Sequence, residues 1–232
     1  MKTAALIVAG GKSERFGGEV PKQFRTLCGR PMLSWCVDSF EKAGSIDNII
    51  VVVAEEYLLY TSEKIIDPYG FHKVTKIVPG GVSRRESVYN GLKALPLSTD
   101  FVAIHDGARP LVLAEDINRV VKVAAQERAA ILATKAADTV KRVRDSYIIS
   151  TLERDSLFMA QTPQVFQYDL IVQAHRECHE KGGDESITDD ASLVEKRGFK
   201  VKAVEPSAPN FKVTTSDDLV LAEAVLKGRV ND

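Results

Sequence analysis

Short apolar runs rich in β-branched residues recur along the chain: TAALIVA at the start, NIIVVVA from Asn48, KVTKIV from Lys73, FVAIHD from Phe101 and AAILAT from Ala129. Each has the length and unbroken apolarity of a strand buried on both faces. Between them lie segments of helical period. PMLSWCVDSFEKAG opens on Pro31 and closes on Gly44, while SRRESVYNGLKAL offers Ser83 as an N-cap with Glu86 three residues later. Strand and helix in alternation predict an α/β fold, a mainly parallel sheet with helices on both faces joined by right-handed crossovers. Ligands should then gather at the carboxyl ends of the strands.

The alternation breaks after Asp138, where TVKRVRDSYIISTLERD places polar residues 144–146 between two half-apolar stretches. That pattern predicts a hairpin projecting from the sheet as an arm over 138–155, within a single domain spanning 1–232. With Val140, Val143, Tyr147, Ile148 and Ile149 it is too small to bury itself, so it is expected to pack on a second copy of the chain. Helical pattern resumes over 168–181, 189–197 and 216–227, and no internal repeat is visible.

At 232 residues, with 44% hydrophobic and 27% charged positions, the chain suits one large domain with a sizeable core. Its net charge of -1 gives no reason to expect nucleic acid or a membrane surface as partner. Phosphate chemistry, if present, has to use local cationic clusters. Three cysteines without CxxC spacing suit reduced thiols and a cytoplasmic protein. Lys2 followed by TAALIVA has the outline of a signal peptide, but the run stops at Gly10 and Gly11 with Lys12, Glu14 and Arg15 close behind, so a buried first strand is the simpler reading.

Three loops carry candidate chemistry. AGGKSERFGGEVPKQF follows the first strand directly. Its glycines free backbone N–H groups to approach an anion, and Lys12, Arg15 and Lys22 bring three positive charges, the makings of a polyphosphate cradle. It is not a Walker A loop, because Leu6 stands where that motif needs glycine, and no register fits GxGxxG. In HDGARP, Asp106 and Arg109 end a strand. The carboxylate can orient hydroxyls or Mg2+ and the guanidinium can grip a phosphate, or the two can simply pair in a turn. PGGVSRRESV puts Gly80 and Gly81 at another strand end with Ser87 one turn into the next helix, where a nucleobase or phosphate could lie.

Taken together, AGGKSER to PKQ, GGVSRRESV, HDGARP, TVKR, TPQVF, TDDAS and FKVT resemble, in order and over nearly the whole chain, the 2-C-methyl-D-erythritol 4-phosphate cytidylyltransferases. The resemblance implies a Rossmann-like nucleotidyltransferase homodimer interlocked by the arm, using CTP and Mg2+ to make a CDP-polyol and pyrophosphate in isoprenoid precursor synthesis. It implies that Arg15, Lys22 and Lys212 meet the triphosphate and the charge building at the α-phosphorus. Ala9, Gly10 and Gly11 would lie along the nucleotide, Gly80, Gly81 and Ser87 would hold cytosine, and Asp106 and Arg109 would face ribose and the polyol phosphate. Thr139 and Arg154 on the arm would reach the neighbouring subunit's substrate, with Thr162 and Thr188 close by. Gly10 and Gly107 stand where many relatives carry alanine, and Val82 stands where some carry aspartate. In-line transfer between phosphates asks for alignment and cations rather than a general base, and no base is conspicuous.

Other readings are weaker. His175, Cys178 and His179 on HRECHEK could bind zinc but lack a fourth ligand, so a surface helix is expected there. Asp189 and Asp190 could chelate a metal, but after Thr188 they read as a capped helix start. A metal-dependent glycosyltransferase would usually show a DxD motif, which this sequence lacks. A ribitol 5-phosphate cytidylyltransferase would share most of the motifs, and a non-catalytic nucleotide-binding regulator would share the cradle.

Overall fold

The computed structural model describes residues 1–11, 21–182 and 187–231. Strand β1 (Thr3–Val8) is followed by the small pair β2 (Thr26–Leu27) and β3 (Arg30–Pro31), then α1 (Met32–Lys42) and β4 (Asn48–Val53). Next come the short α2 (Leu58–Thr61), β5 (Val74–Pro79), α3 (Arg84–Ala94), β6 (Phe101–Asp106), α4 (Ala114–Glu127) and β7 (Ala129–Lys135). The hairpin β8 (Lys141–Arg144) and β9 (Tyr147–Thr151) precedes β10 (Phe158–Gln167), α5 (Tyr168–Glu180), α6 (Asp190–Lys196), β11 (Lys202–Val204) and α7 (Ser216–Asn231).

Among the described residues, seven strands form the main sheet in the order β11-β7-β10-β6-β1-β4-β5. All neighbouring pairs are parallel except those of β10, which runs antiparallel to β6 and β7. Because side chains alternate between faces, each central strand feeds two cores. Ala5 and Ile7 of β1 with Ile49, Val51 and Val53 of β4 meet α1 and α4 on one face. Ala4 and Leu6 with Ile50 and Val52 meet α3 and α5 on the other. Helix α1 buries Leu33, Cys36, Val37 and Phe40, and α4 buries Ile117, Val120, Val121 and Ala124. Both sets follow the i, i+3, i+4, i+7 spacing of a single helical face. At Gly91 helix α3 comes so close to β1 that an added Cβ would lie 2.2 Å from Leu6 Cδ1. Glycine there sets the approach of the helix to the sheet.

The antiparallel β10 has no counterpart in the sequence-based expectation. Its FMAQTPQVFQ carries Pro163 and several polar residues, a composition that argues against a central strand. The structure accommodates it by a register irregularity between Ala160 and Gln164 against β7, at the stretch that contains the proline. Among the described residues the hairpin β8–β9 pairs only with itself, turning through Asp145 and Ser146 at φ 49° and 66°, the positive pair that a two-residue primed turn requires. Among the described residues no helix is long and apolar enough to cross a membrane.

Candidate active site

A cleft of about 720 Å³ opens at the carboxyl ends of β1, β4, β5 and β6. The chain after β1 brings Ala9, Gly10 and Gly11 to it, the chain after β5 brings Gly80 and Gly81, and α3 adds Ser87. Asp106 enters from the end of β6, and Lys22 and Lys212 reach it from segments distant in sequence. These positions come together because parallel strands deliver their following loops to one edge of the sheet.

The Gly80–Gly81 loop is held by the start of α3. Ser83 caps the helix by accepting from Glu86 N at 3.1 Å, and the Glu86 carboxylate accepts in turn from Val82 N at 2.9 Å. The Ser87 hydroxyl accepts from Gly81 N at 3.0 Å and donates to Ser83 O at 2.9 Å. A Cβ on Gly80 would sit 2.8 Å from that hydroxyl oxygen, so the close approach depends on glycine. Gly10 has room for a methyl, with Ser87 Oγ at 3.5 Å, whereas at Gly107 a Cβ would press on Ala9 Cβ at 2.9 Å.

Asp106 is the electrostatic centre. Arg84 Nε donates to its Oδ1 at 2.8 Å, Lys212 Nζ donates to its Oδ2 at 2.8 Å, and Arg109 Nε lies 4.0 Å from Oδ2. Burial alone would raise the pKa of this carboxyl, but the charges of Arg84 and Lys212 outweigh it and hold the group well below the usual carboxylate range. Lys22 Nζ donates to Val213 O at 2.9 Å, next to Lys212, and Gln23 Nε2 donates to Ala9 O at 2.6 Å. Two ammonium groups are thus tied to the same edge of the cleft, an arrangement suited to a polyanion.

Arg109, Thr139, Arg154, Thr162 and Thr188 do not line this cleft. Arg109 turns its guanidinium to backbone, donating to Asn210 O at 2.8 Å. Thr162 is buried, and Thr139, Arg154 and Thr188 are exposed. Arg154 donates to Ala137 O at 3.2 Å at the base of the hairpin. Lys12 and Arg15 lie outside the described residues.

Sequence reasoning gave no role to Arg84, read Asp190 as part of a capped helix start and placed His175 on a surface helix. Arg84 Nη1 donates to Asp190 Oδ2 at 2.8 Å, and His175 Nε2 donates to Asp190 Oδ1 at 2.9 Å. The surface helix expected at HRECHEK is corrected: α5 buries His175 and Cys178 because that face packs on α6. Asp189 is the N-cap of α6, accepting from Ser192 N at 3.0 Å. The signal for Arg84 was present. Two arginines in the first turn of a helix oppose its dipole, which calls for fixed carboxylates nearby.

Among the described residues no three His, Cys, Asp or Glu side chains converge as a metal centre, and both Asp106 oxygens already face cations. These donors do not fit a resident divalent ion.

The model of the IspD family, 2-C-methyl-D-erythritol 4-phosphate cytidylyltransferase, matches residues 3–228. A protein of that name from Pelotomaculum thermopropionicum is 44% identical over 98% of this chain and 95% of its own. Another from Desulforamulus reducens is 45% identical over 97% of this chain and 96% of its own. Among solved structures, a 4-diphosphocytidyl-2C-methyl-D-erythritol synthase from Anaerococcus prevotii superposes with a TM-score of 0.85 at 30% identity, covering 97% of this chain and 96% of that one.

Proposed function

The chain belongs to the IspD family of 2-C-methyl-D-erythritol 4-phosphate cytidylyltransferases, and from that premise we propose that it transfers CMP from CTP to 2-C-methyl-D-erythritol 4-phosphate, releasing pyrophosphate. The observation that carries this reading is the meeting of Lys22, Lys212 and Asp106 with the Gly80–Gly81 loop in one cleft at the strand ends. CTP would lie with its base toward Gly80, Gly81 and Ser87, its ribose toward Asp106 and its phosphates toward Lys22, Lys212 and Arg15. Mg2+ would be held by the CTP phosphates themselves, where it would supply charge neutralisation.

An oxygen of the acceptor phosphate attacks the α-phosphorus. The new O–P bond forms as the bond to the β-phosphate oxygen breaks, and pyrophosphate leaves. The acceptor phosphate, with a second pKa of about 6, is already ionised at neutral pH, so no base has to remove a proton. The lysines bring two polyanions together and meet the charge that moves onto the leaving group.

The exposed apolar side chains of the hairpin, Val143, Tyr147, Ile148 and Ile149, support a homodimer clasped through this arm. In that assembly Thr139 and Arg154 would serve the neighbouring cleft, with Arg109, Thr162 and Thr188 around the acceptor. Three free thiols, two of them buried, favour a cytoplasmic setting.

The test is pyrophosphate release from CTP, measured side by side with 2-C-methyl-D-erythritol 4-phosphate, with ribitol 5-phosphate and with no acceptor. Release only with the first is expected. Release only with ribitol phosphate would reassign the acceptor, and CTP binding with no release under any condition would leave a regulator rather than an enzyme.

A further inference from the structure

Arg84 spans two buried carboxylates from two different elements. Its Nε lies 2.8 Å from Asp106 Oδ1 at the end of β6, and its Nη1 lies 2.8 Å from Asp190 Oδ2 at the start of α6. Asp190 is itself fixed from the other side by His175 Nε2 at 2.9 Å, and its backbone N–H donates to Gln164 Oε1 at 3.1 Å. The planar fork of arginine can span two acceptors in this way, whereas a lysine offers a single ammonium.

Lys212 takes the opposite oxygen, Oδ2, of the same Asp106 carboxylate. This ammonium is thus paired with Asp106. To give its charge wholly to phosphates it would have to leave, and Asp106, only 8% exposed, would then keep its charge in a nearly dry place. A buried carboxylate without a partner is costly, so the exchange is easy only if another cation stays behind. Arg84 occupies the other oxygen and is anchored on Asp190, so its bond need not change when Lys212 departs. Arg109 is a poorer substitute, 4.0 Å away and bonded to backbone carbonyls of residues 160 and 210. His105, the neighbour on β6, points its ring to Thr162 and to Arg109 O, away from this duty.

We propose that Arg84 is a positioning residue that holds Asp106 while Lys212 exchanges that carboxylate for the phosphates of the bound nucleotide. This inference rests on the reading of the cleft as the CTP site. It explains why a cation sits in the first turn of α3, against the helix dipole, and why α6 presents a buried aspartate to Arg84. The two cations of Asp106 then differ in role, Arg84 staying in place and Lys212 moving.

The experiment is a double-mutant cycle on CTP affinity, read by calorimetry with MgCTP on the full chain, using Arg84→Gln, Lys212→Ala and the double variant. Arg84→Lys serves as the conservative variant, and melting curves of all four report folding. Arg84→Gln is expected to weaken CTP on the order of tenfold, as when a charged hydrogen bond is lost, with Arg84→Lys in between. In the Lys212→Ala background the same change should cost no more than about threefold, because no lysine remains to be trapped on Asp106. A merely structural role for Arg84 would lower the melting temperature and weaken CTP equally in both backgrounds. Equal factors, or folded Arg84→Gln and Arg84→Lys proteins with wild-type affinity, would overturn the proposal. A wild-type chain without CTP affinity would instead overturn the reading of the cleft on which it rests.

Discussion

The Thr162 hydroxyl lies 3.0 Å from Nδ1 of His105, and the other ring nitrogen lies 3.1 Å from Arg109 O. A carbonyl only accepts, so Nε2 carries the proton and Nδ1 accepts from Thr162. The same hydroxyl accepts from Asp106 N at 3.1 Å. The neutral ring thus links β10 to the turn that carries Asp106, and Thr162 spends its hydroxyl on this link.

Burial pushes the His105 pKa from its ordinary 6.5 down to about 4. Between those values the unfolded chain binds a proton that the folded chain refuses, so stability is full above pH 6.5 and falls as pH drops toward 4. The loss is on the order of 3 kcal/mol. Urea midpoints of wild type and His105→Gln from pH 7 to pH 4 should show the difference between them shrinking in this window. A constant difference would mean that the ring does not titrate in this way.

The lysine anchored on Val213 O should matter to turnover far more than to folding. Lys22→Ala is expected to lower the rate on the order of a hundredfold, the size of one lost transition-state charge contact. Its preference for CTP over ATP should persist, because the base is assigned to the Gly80–Gly81 loop. Steady-state kinetics on folded protein decide this, and a rate within about threefold of wild type would remove Lys22 from the mechanism.

At the contact of α3 with β1, Gly91→Ala is expected to cost about 1–3 kcal/mol by overpacking Leu6. Leu6→Ala opens the space the new methyl needs, so chemical denaturation of the double variant should show a loss smaller than the sum of the single losses. Strict additivity would argue against the close approach.

Much of the scaffold was legible because buried parallel strands write themselves as unbroken apolar runs, as in NIIVVV, and because Ser83 and Glu86 announce a helix start. Strand β10 was not, since Pro163, Gln161 and Gln164 disguise it and only tertiary pairing with β6 and β7 accommodates them. In the cleft, loop glycines and lysines at strand ends were visible as residue types. The partnership of Arg84 with Asp106 and Asp190 was not, because it joins residues 22 and 106 positions apart.

The arm predicts complementation between damaged chains. Arg154→Ala and Lys22→Ala homodimers should each be nearly inactive, yet in a mixed dimer one site inherits both defects and the other neither. Activity should return in differently tagged, purified heterodimers. Ile148→Asp, on the exposed hairpin, should shift the protein to monomers in sedimentation velocity. Heterodimers as inactive as their parents would confine Arg154 to its own chain.

Cytidylyl transfer forms a new phosphoanhydride between the CMP of CTP and the acceptor phosphate. Phosphorus NMR of a reaction containing the wild-type chain, MgCTP and 2-C-methyl-D-erythritol 4-phosphate reads it directly. Paired doublets of an unsymmetrical diphosphate should grow in step with pyrophosphate as the acceptor monophosphate signal declines. An unchanged acceptor signal, with CTP intact or merely hydrolysed to CMP and pyrophosphate, would contradict such a transfer.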